Sequence, residues 1–196
     1  MPTGVAIRDV REQLFEAAER VLLRDGPSAL TSRAVTTEAG CAKGVLHRHF
    51  ADFDAFLAGL VLDRIARIEA GTGALCARAG TGVVADHLTD ALTGLFGSVA
   101  IAVVGLVTSR DELRARLREA RPTGVPVLTD AANAIAAYLV AERSLGRLAP
   151  DADVDVLAPT LIGAAHLLFA DRTGTPPEPD AVRKVVTTVL AGAVVG

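Results

Sequence analysis

Apolar side chains recur every three or four residues through most of this sequence. In the first segment they fall at positions 10, 14, 17, 18, 21 and 22, which places them on one face of a helix. Asp25-Gly26-Pro27 follows, where glycine suits a left-handed cap and proline blocks continuation. The pattern therefore predicts a first helix from about residue 9 to residue 25, after a short arm over residues 1–8.

Two short helices separated by a turn are predicted next. Thr31 or Ser32 can cap a second helix that ends near Ala39, because both hydroxyls can accept a bond from a free helical N–H. Gly40 supplies a sharp turn. A third helix is then predicted over about 42–49.

The rest of the pattern is also helical. Asp52 can cap a fourth helix, whose apolar spacing continues to the glycines near 71–73 or a turn beyond. Five further helices are predicted over about 82–96, 98–108, 125–145, 154–169 and 180–194. The 98–108 helix is apolar nearly all round, so it belongs in the core. A charged segment, RDELRARLREAR, separates it from the next helix. The pattern predicts an all-α fold of about nine helices.

Composition adds a constraint on how the chain can bind nucleic acid. Hydrophobic residues make up 51% of the 196 residues and aromatic residues only 4%, so the core must be aliphatic. The formal net charge is −3, while the first fifty residues carry seven basic and six acidic side chains. Affinity for DNA must therefore come from local placement of charge and from dimerisation.

The segment Ala39–Phe50, AGCAKGVLHRHF, has the pattern of the turn and second helix of a helix-turn-helix, whose second helix lies in the major groove of DNA. Lys43 can reach a base or a phosphate. Val45 can pack on a thymine methyl group, and His47 and His49 can donate to phosphate oxygens. The segment predicts a DNA-binding surface.

Flanking residues extend this surface. Ser32 and Arg33, at the start of the second helix, can contact the DNA backbone. Gly44 permits a close approach, and Arg48 lies on or near the exposed part of the third helix. For Lys43 and Arg48 an ordinary solvated charge is the alternative interpretation.

Spaced residues link this segment to the helices before it. They are Ala17-Ala18, Gly26, Thr31, Ala39-Gly40, Gly44, Leu46 and His49-Phe50. Over about residues 9–60 they resemble the N-terminal pattern of the tetracycline-repressor (TetR) family of bacterial regulators. The resemblance implies a ligand-responsive regulator, usually a repressor, that binds palindromic operator DNA as a dimer and is released by a small molecule. The expected DNA-binding residues are Thr31, Ser32, Arg33, Lys43, Gly44, Val45, His47, Arg48 and His49.

The sequence departs from the family pattern at positions that carry DNA contacts. Ala42 stands where the family usually has Ser, so the third helix loses a good N-cap. Val45 replaces Thr and His47 replaces Tyr. Phe53 replaces a Lys that typically meets a phosphate. These departures leave the docking mode in place and make the operator sequence specific to this chain.

In the family, the C-terminal helices enclose a small-molecule pocket and form the dimer. The resemblance therefore implies a helix-turn-helix domain over 9–55 and a ligand-sensing, dimerisation domain over 56–196. The expected effector is largely apolar, with dimerisation through the last two helices. Candidate ligand-binding residues are Leu92, Phe96, Val99, Val103, Leu128, Asn133, Tyr138 and His166. For each of them, a plain core position is the alternative.

Other functions are weighed against this one. The chain has none of the common catalytic motifs that mark hydrolases, zinc proteases or nucleotide-binding enzymes, so we expect no enzyme and no cofactor. His47 and His49 are two residues apart, and such side chains point apart on a helix. Cys41 and Cys76 fit reduced thiols. No signal segment or membrane-length apolar run is present, so a cytoplasmic protein is expected. A helical interaction module with weakened DNA binding remains the alternative.

Overall fold

Ten α-helices make up the described part of the computed structural model, which covers residues 10–97, 99–170 and 177–195. They are α1 (Val10–Asp25), α2 (Ser32–Glu38), α3 (Gly44–His49), α4 (Phe53–Cys76), α5 (Val84–Phe96), α6 (Ala100–Ser109), α7 (Asp111–Ala120), α8 (Leu128–Ser144), α9 (Val154–Phe169) and α10 (Pro179–Val189). No strand occurs in these ranges, so the predicted all-α fold is confirmed. The predicted arm over 1–8 lies outside the described residues.

Local signals explain the N-terminal elements. Thr31 caps α2 by accepting a bond from the backbone N–H of Ala34 at 3.1 Å. Gly40 turns the chain at a φ of +64°, in the left-handed region that glycine enters without steric cost. Asp52 caps α4 by accepting from the backbone N–H of Ala55 at 2.6 Å. Each turn and cap therefore lies where the sequence predicted it.

Two boundaries differ from the sequence prediction. The charged segment forms a helix of its own, α7, because Leu113 and Leu117 lie one turn apart and are both buried. The last helix ends at Val189 rather than near 194, and Gly192 then takes a φ of +82°. This tail makes an isolated bridge between Val194 and Leu148.

The helix α4 joins the two halves of the molecule. It packs against α3 in the N-terminal half and against α7 and α8 in the C-terminal half. The C-terminal half is built around α8, which also packs on α9, while α10 lies against α5 and α9. Within the described residues, no single helix is both long and apolar enough to span a membrane.

Candidate functional site

An aromatic cluster fixes the orientation of α3. The rings of Phe15, Phe50 and Phe56 meet pairwise, with centroids 5.1–5.7 Å apart. Gly59 completes the packing, since a Cβ atom there would lie 3.2 Å from both the Phe15 and Phe50 rings. Leu46, on α3 itself, is fully buried. These contacts hold α3 against α1 and α4 and leave its opposite face outward.

The outward face of α3 carries most of the predicted DNA-binding residues. Lys43, His47, Arg48 and His49 are exposed. Val45 is half-buried and packs against the hydrophobic core with part of its side chain. The short helix therefore presents basic and imidazole side chains to solvent around one apolar position.

The remaining predicted contacts lie beside this face. Thr31 and Arg33 are exposed at the start of α2, and Ser32 is half-buried. Gly44 is exposed at the start of α3, with open space around the position of an added Cβ atom. Because α2 packs on α3, the structure brings all nine predicted positions together, on these two helices or at their N-caps.

No neighbouring carboxylate in the same segment neutralises the basic side chains of this surface. No carboxylate occurs between residues 39 and 51. The nearest acid before this stretch, Glu38, is held by Arg20 at 2.7 Å and by Arg24 at 2.9 Å. Its hydrogen bonds with Arg20 and then Arg24 lower the pKa of its carboxyl. The α3 surface therefore keeps its cationic side chains available for an anionic partner.

Two departures from the family pattern, Ala42 and Phe53, have visible effects in the structure. No side chain caps α3, whose N-cap residue is Lys43, in keeping with the missing hydroxyl at Ala42. Phe53 stacks on Phe56 at 5.7 Å and lies 5.7 Å beneath the guanidinium of Arg110. Phe53 thus links the start of α4 to the α6–α7 junction.

A cavity of about 440 Å³ lies between α4, α5 and α8. Its walls are mostly apolar, and arginines and one aspartate stand among them. The apolar side chains are Ile68, Ala74, Leu75, Ala91, Leu92, Leu95, Ala131, Ala134 and Ile135. The charged side chains are Arg64, Arg67, Arg78 and Asp90. A mostly apolar concavity with a few charged groups is the usual form of a small-molecule site.

The predicted ligand-binding residues do not share one cavity. Leu92 lines the cavity between α4, α5 and α8. Two others line a second cavity of about 350 Å³ between α8 and α9; they are Leu128 and Asn133. Four are buried outside the lining of both cavities; they are Phe96, Val99, Val103 and Tyr138. His166 is half-buried, with its ring 6.0 Å from that of Phe96.

Tyr138 belongs to a buried polar network. Its hydroxyl donates to Glu142 at 2.5 Å and lies 2.9 Å from Nδ1 of His87. Because the hydroxyl proton goes to Glu142, His87 is the donor from Nδ1. Burial, and then the nearby charge of Arg78, lower the pKa of His87. The network holds a neutral histidine inside the C-terminal half.

The same network fastens the connection between α4 and α5. Glu142 accepts from the backbone N–H of Gly80 at 3.2 Å and faces Arg147 at 3.4 Å. Arg147 in turn donates to the carbonyls of Thr81 and Gly82, each at 2.7 Å. Sequence reasoning missed His87 and Glu142, although the spacing of Glu142 one turn after Tyr138 was a usable signal.

Ion pairs join α4 to the α7 region at both ends. Near the start of α4, Asp52 pairs with Arg116 at 3.0 Å. Farther along, Glu69 pairs with Arg121 at 2.5 Å, and Arg121 also lies 3.5 Å from Asp130 on α8. The charged segment that separates two predicted helices in the sequence therefore forms ion pairs with α4 and its N-cap.

Among the described residues, no group of three or more His, Cys, Asp or Glu side chains is arranged to hold a metal ion. Cys41 and Cys76 are free thiols, both half-buried. No sequence among the curated proteins matches the chain.

A family model and solved structures do match. Residues 14–59 fit the model of the bacterial regulatory proteins of the tetR family. Three similar structures are a TetR-family transcriptional regulator from Mesorhizobium loti, the fatty acid degradation regulator FadR from Bacillus halodurans, and FadR from Bacillus subtilis in complex with stearoyl-CoA.

These structures share the fold along almost their whole length. The Mesorhizobium protein has a TM-score of 0.66 at 17% identity, with 94% of this chain and 96% of that chain covered. The Bacillus halodurans protein has a TM-score of 0.71 at 17% identity, covering 98% of each. The Bacillus subtilis protein has a TM-score of 0.64 at 18% identity, covering 92% of this chain and 98% of that one.

Proposed function

We propose that this chain is a ligand-responsive repressor of the tetR family of bacterial regulatory proteins, because residues 14–59 fit that family's model and the whole chain shares the fold of TetR-family structures. In this proposal it acts in the cytoplasm and has no enzymatic activity. A dimer binds a palindromic operator through α3 and its counterpart, and a small molecule in the C-terminal half releases the DNA. The observation that carries the proposal is the outward, acid-free surface of α3.

The DNA-binding step rests on placement of charge. Lys43 and Arg48 are exposed on a helix that is anchored by buried Leu46 and Phe50. The segment 39–51 has no carboxylate to repel phosphates. A basic helix of this kind reads the major groove while neighbouring residues contact the backbone. The predicted contacts at Thr31 and Arg33 flank that helix on the side of α2.

Dimerisation through α9 and α10 is supported by an unpartnered face of α9. Val156, Thr160, Gly163 and Leu167 are exposed at spacings of three or four residues, so they share one face of the helix. The side chain of Leu167 is 76% exposed and that of Val156 is 58% exposed. A second copy packed on this face would remove both from water and set two recognition helices about 34 Å apart.

The release step rests on α4. This one helix lines the cavity with Ile68 and Leu75, and only three residues separate its start from the end of α3. A ligand that favours one position of α4 therefore favours one position of α3. Such differential binding is the requirement for a ligand to shift DNA affinity.

The test is binding of the full chain to duplex DNA from its own upstream region, followed over a range of salt concentrations. We expect specific binding whose affinity falls steeply with salt, as phosphate contacts require. The variant Lys43→Ala with His47→Ala should lose binding and still sediment as a dimer. Arg118→Ala, which removes an exposed charge from α7, is the matched control and should bind normally.

The opposite results define failure. Weak binding that ignores both DNA sequence and salt overturns the proposal and favours a helical interaction module. Unchanged DNA binding by the Lys43 and His47 variant overturns the placement of the recognition helix.

The dimer has its own test. Leu167→Glu places a charge on the apolar face of α9 and should convert the dimer to a monomer in sedimentation experiments. Leu23→Glu is the control, because Leu23 is 61% exposed on α1, away from α9. A Leu167→Glu protein that stays dimeric excludes this face as the interface.

A further inference from the structure

We propose that the cavity between α4, α5 and α8 binds an amphipathic acid, with an apolar body and one carboxylate or phosphate group. This inference rests on the proposed function, in which the cavity holds the effector, and names the chemical class of that effector. Charged side chains, apolar walls and open space in the cavity together favour such a ligand.

The charged lining favours an anion. Three arginines but only one aspartate line the cavity. That aspartate, Asp90, already pairs with Arg78 at 2.9 Å. Asp63 and Glu19 act on the other arginines from outside the lining, so within the lining itself arginines outnumber carboxylates. An anionic ligand would meet donors there that bind carboxylate and phosphate in a bidentate manner.

Arg67 and Arg78 each use only part of their guanidinium group in the ion pairs that they form. Arg67 contacts Asp63 through Nε at 2.8 Å, a bond that does not use its terminal nitrogens. Arg78 uses one terminal nitrogen for Asp90. Both pairs are partly exposed, with about two-fifths of each arginine side chain open to solvent. Exposed pairs of this kind contribute little stability, so an incoming anion can compete for these guanidinium groups at small cost.

The apolar lining favours an apolar body. Ile68 and Leu75 of α4, Leu92 and Leu95 of α5 and Ile135 of α8 all line the cavity. Among the described residues that line it, Thr72 alone carries a hydroxyl, which already donates to the carbonyl of Ile68 at 3.1 Å. An uncharged polar ligand finds few partners here, while an alkyl chain or a ring replaces water against aliphatic walls.

Open space in the cavity comes partly from glycines. Gly71 on α4 and Gly94 on α5 both line it, and an added Cβ atom at either position would meet no atom within 4 Å. Glycine inside a helix costs stability relative to alanine. A larger side chain at Gly71 therefore has room, favours the helix, and fills space that the ligand needs.

The experiment measures binding of four probes to the full chain by calorimetry: octanoate, octyl phosphate, octan-1-ol and octylammonium. We expect octanoate, octyl phosphate or both to bind, and the alcohol and the ammonium to bind at least about tenfold more weakly, since a charge-assisted bidentate contact is lost. The variant Arg67→Gln with Arg78→Gln should lose this preference for anions. Gly71→Leu should block binding without unfolding the protein.

Gly73→Leu is the matched control. Gly73 lies on the same helix with the same open space but does not line the cavity, so this variant should bind octanoate normally. The inference is overturned if none of the four probes binds, if the alcohol or the ammonium binds as tightly as the anions, or if anion binding survives Gly71→Leu.

Binding to upstream DNA, measured in parallel, separates the two proposals. A chain that binds its DNA but none of the anions overturns the effector class and leaves the regulator intact. Arginine-dependent binding of octanoate by a chain that ignores DNA supports the cavity assignment and overturns the regulatory function.

Discussion

The carboxylate of Asp52 accepts two hydrogen bonds from the guanidinium of Arg116, each 3.0 Å long. The same carboxylate caps α4 through the backbone N–H of Ala55. That cap, and then Arg116, lower the pKa of Asp52. One side chain thus ends the helix-turn-helix segment, starts α4, and ties both to α7, which lies 64 residues away in the sequence.

The two roles of Asp52 can be separated by substitution. Asp52→Asn keeps a side-chain oxygen for the cap and loses the charge that pairs with Arg116. Asp52→Ala loses both. We expect the melting temperature to fall more for Asp52→Ala than for Asp52→Asn, and Arg116→Gln to resemble Asp52→Asn. Equal melting temperatures for the two Asp52 variants would show that the cap is not needed.

The glycines of α4 should respond differently to alanine. At Gly71 an added methyl meets open space, so Gly71→Ala should stabilise the protein by about 0.5–1 kcal/mol. At Gly59 the methyl meets the packed rings of Phe15 and Phe50 at 3.2 Å, which opposes the same helical gain. Urea unfolding of both variants checks this order. If Gly59→Ala proved as stable as Gly71→Ala, the rings of Phe15 and Phe50 would have to shift away from the added methyl group at no energetic cost.

Removing one hydroxyl from the buried network should be costly. Tyr138→Phe keeps the ring and leaves Glu142 and His87, both buried, without their shared partner. Loss of a buried hydrogen-bond partner costs about 1–3 kcal/mol, measurable by urea unfolding. Octanoate binding should persist, because Tyr138 does not line the α4–α5–α8 cavity. Loss of that binding in a stable variant would instead support the ligand-binding role that the sequence predicted for Tyr138.

Acid should weaken the fold through His87. Its pKa is lowered in the folded protein, so the unfolded chain binds more protons as the pH falls through the ordinary value of about 6.5. The fold therefore keeps this contribution to stability above that value and loses it as the pH falls below it, toward the lowered pKa of the folded state. Unfolding free energies of the native chain and of His87→Gln should therefore diverge between about pH 7.5 and pH 5, with the native chain more sensitive. Parallel curves would contradict the buried, neutral state of His87.

Several features of the fold followed directly from local sequence signals. The caps at Thr31 and Asp52 and the turn at Gly40 depend on chemistry within a few residues, so the sequence contained all the information needed. The helix over the charged segment was less evident, because only Leu113 and Leu117 are buried there. The helix is stabilised by packing against α4 and α6. A periodic pattern within the segment does not record contacts with other helices.

The cavity could not be located from the sequence for a related reason. Its walls come from three helices, and its arginines look like ordinary surface charges when each is considered alone. Leu92 and Phe96 lie one turn apart on the apolar face of α5. Leu92 nevertheless lines the cavity, whereas Phe96 packs against the ring of Phe169. Tertiary packing decides between these environments, and periodicity does not record it.

The continuity of α4 limits how this protein can be divided. Phe56, Leu57 and Leu60 are fully buried, and Phe56 closes the aromatic cluster with Phe15 and Phe50. A fragment cut after residue 55 would expose that cluster to water, whatever the quality of its turn and caps. A chimera that joins these recognition residues to another sensor domain should therefore be fused within α4 beyond Ile65. The transferred segment then includes the buried α4 residues that pack against the aromatic cluster.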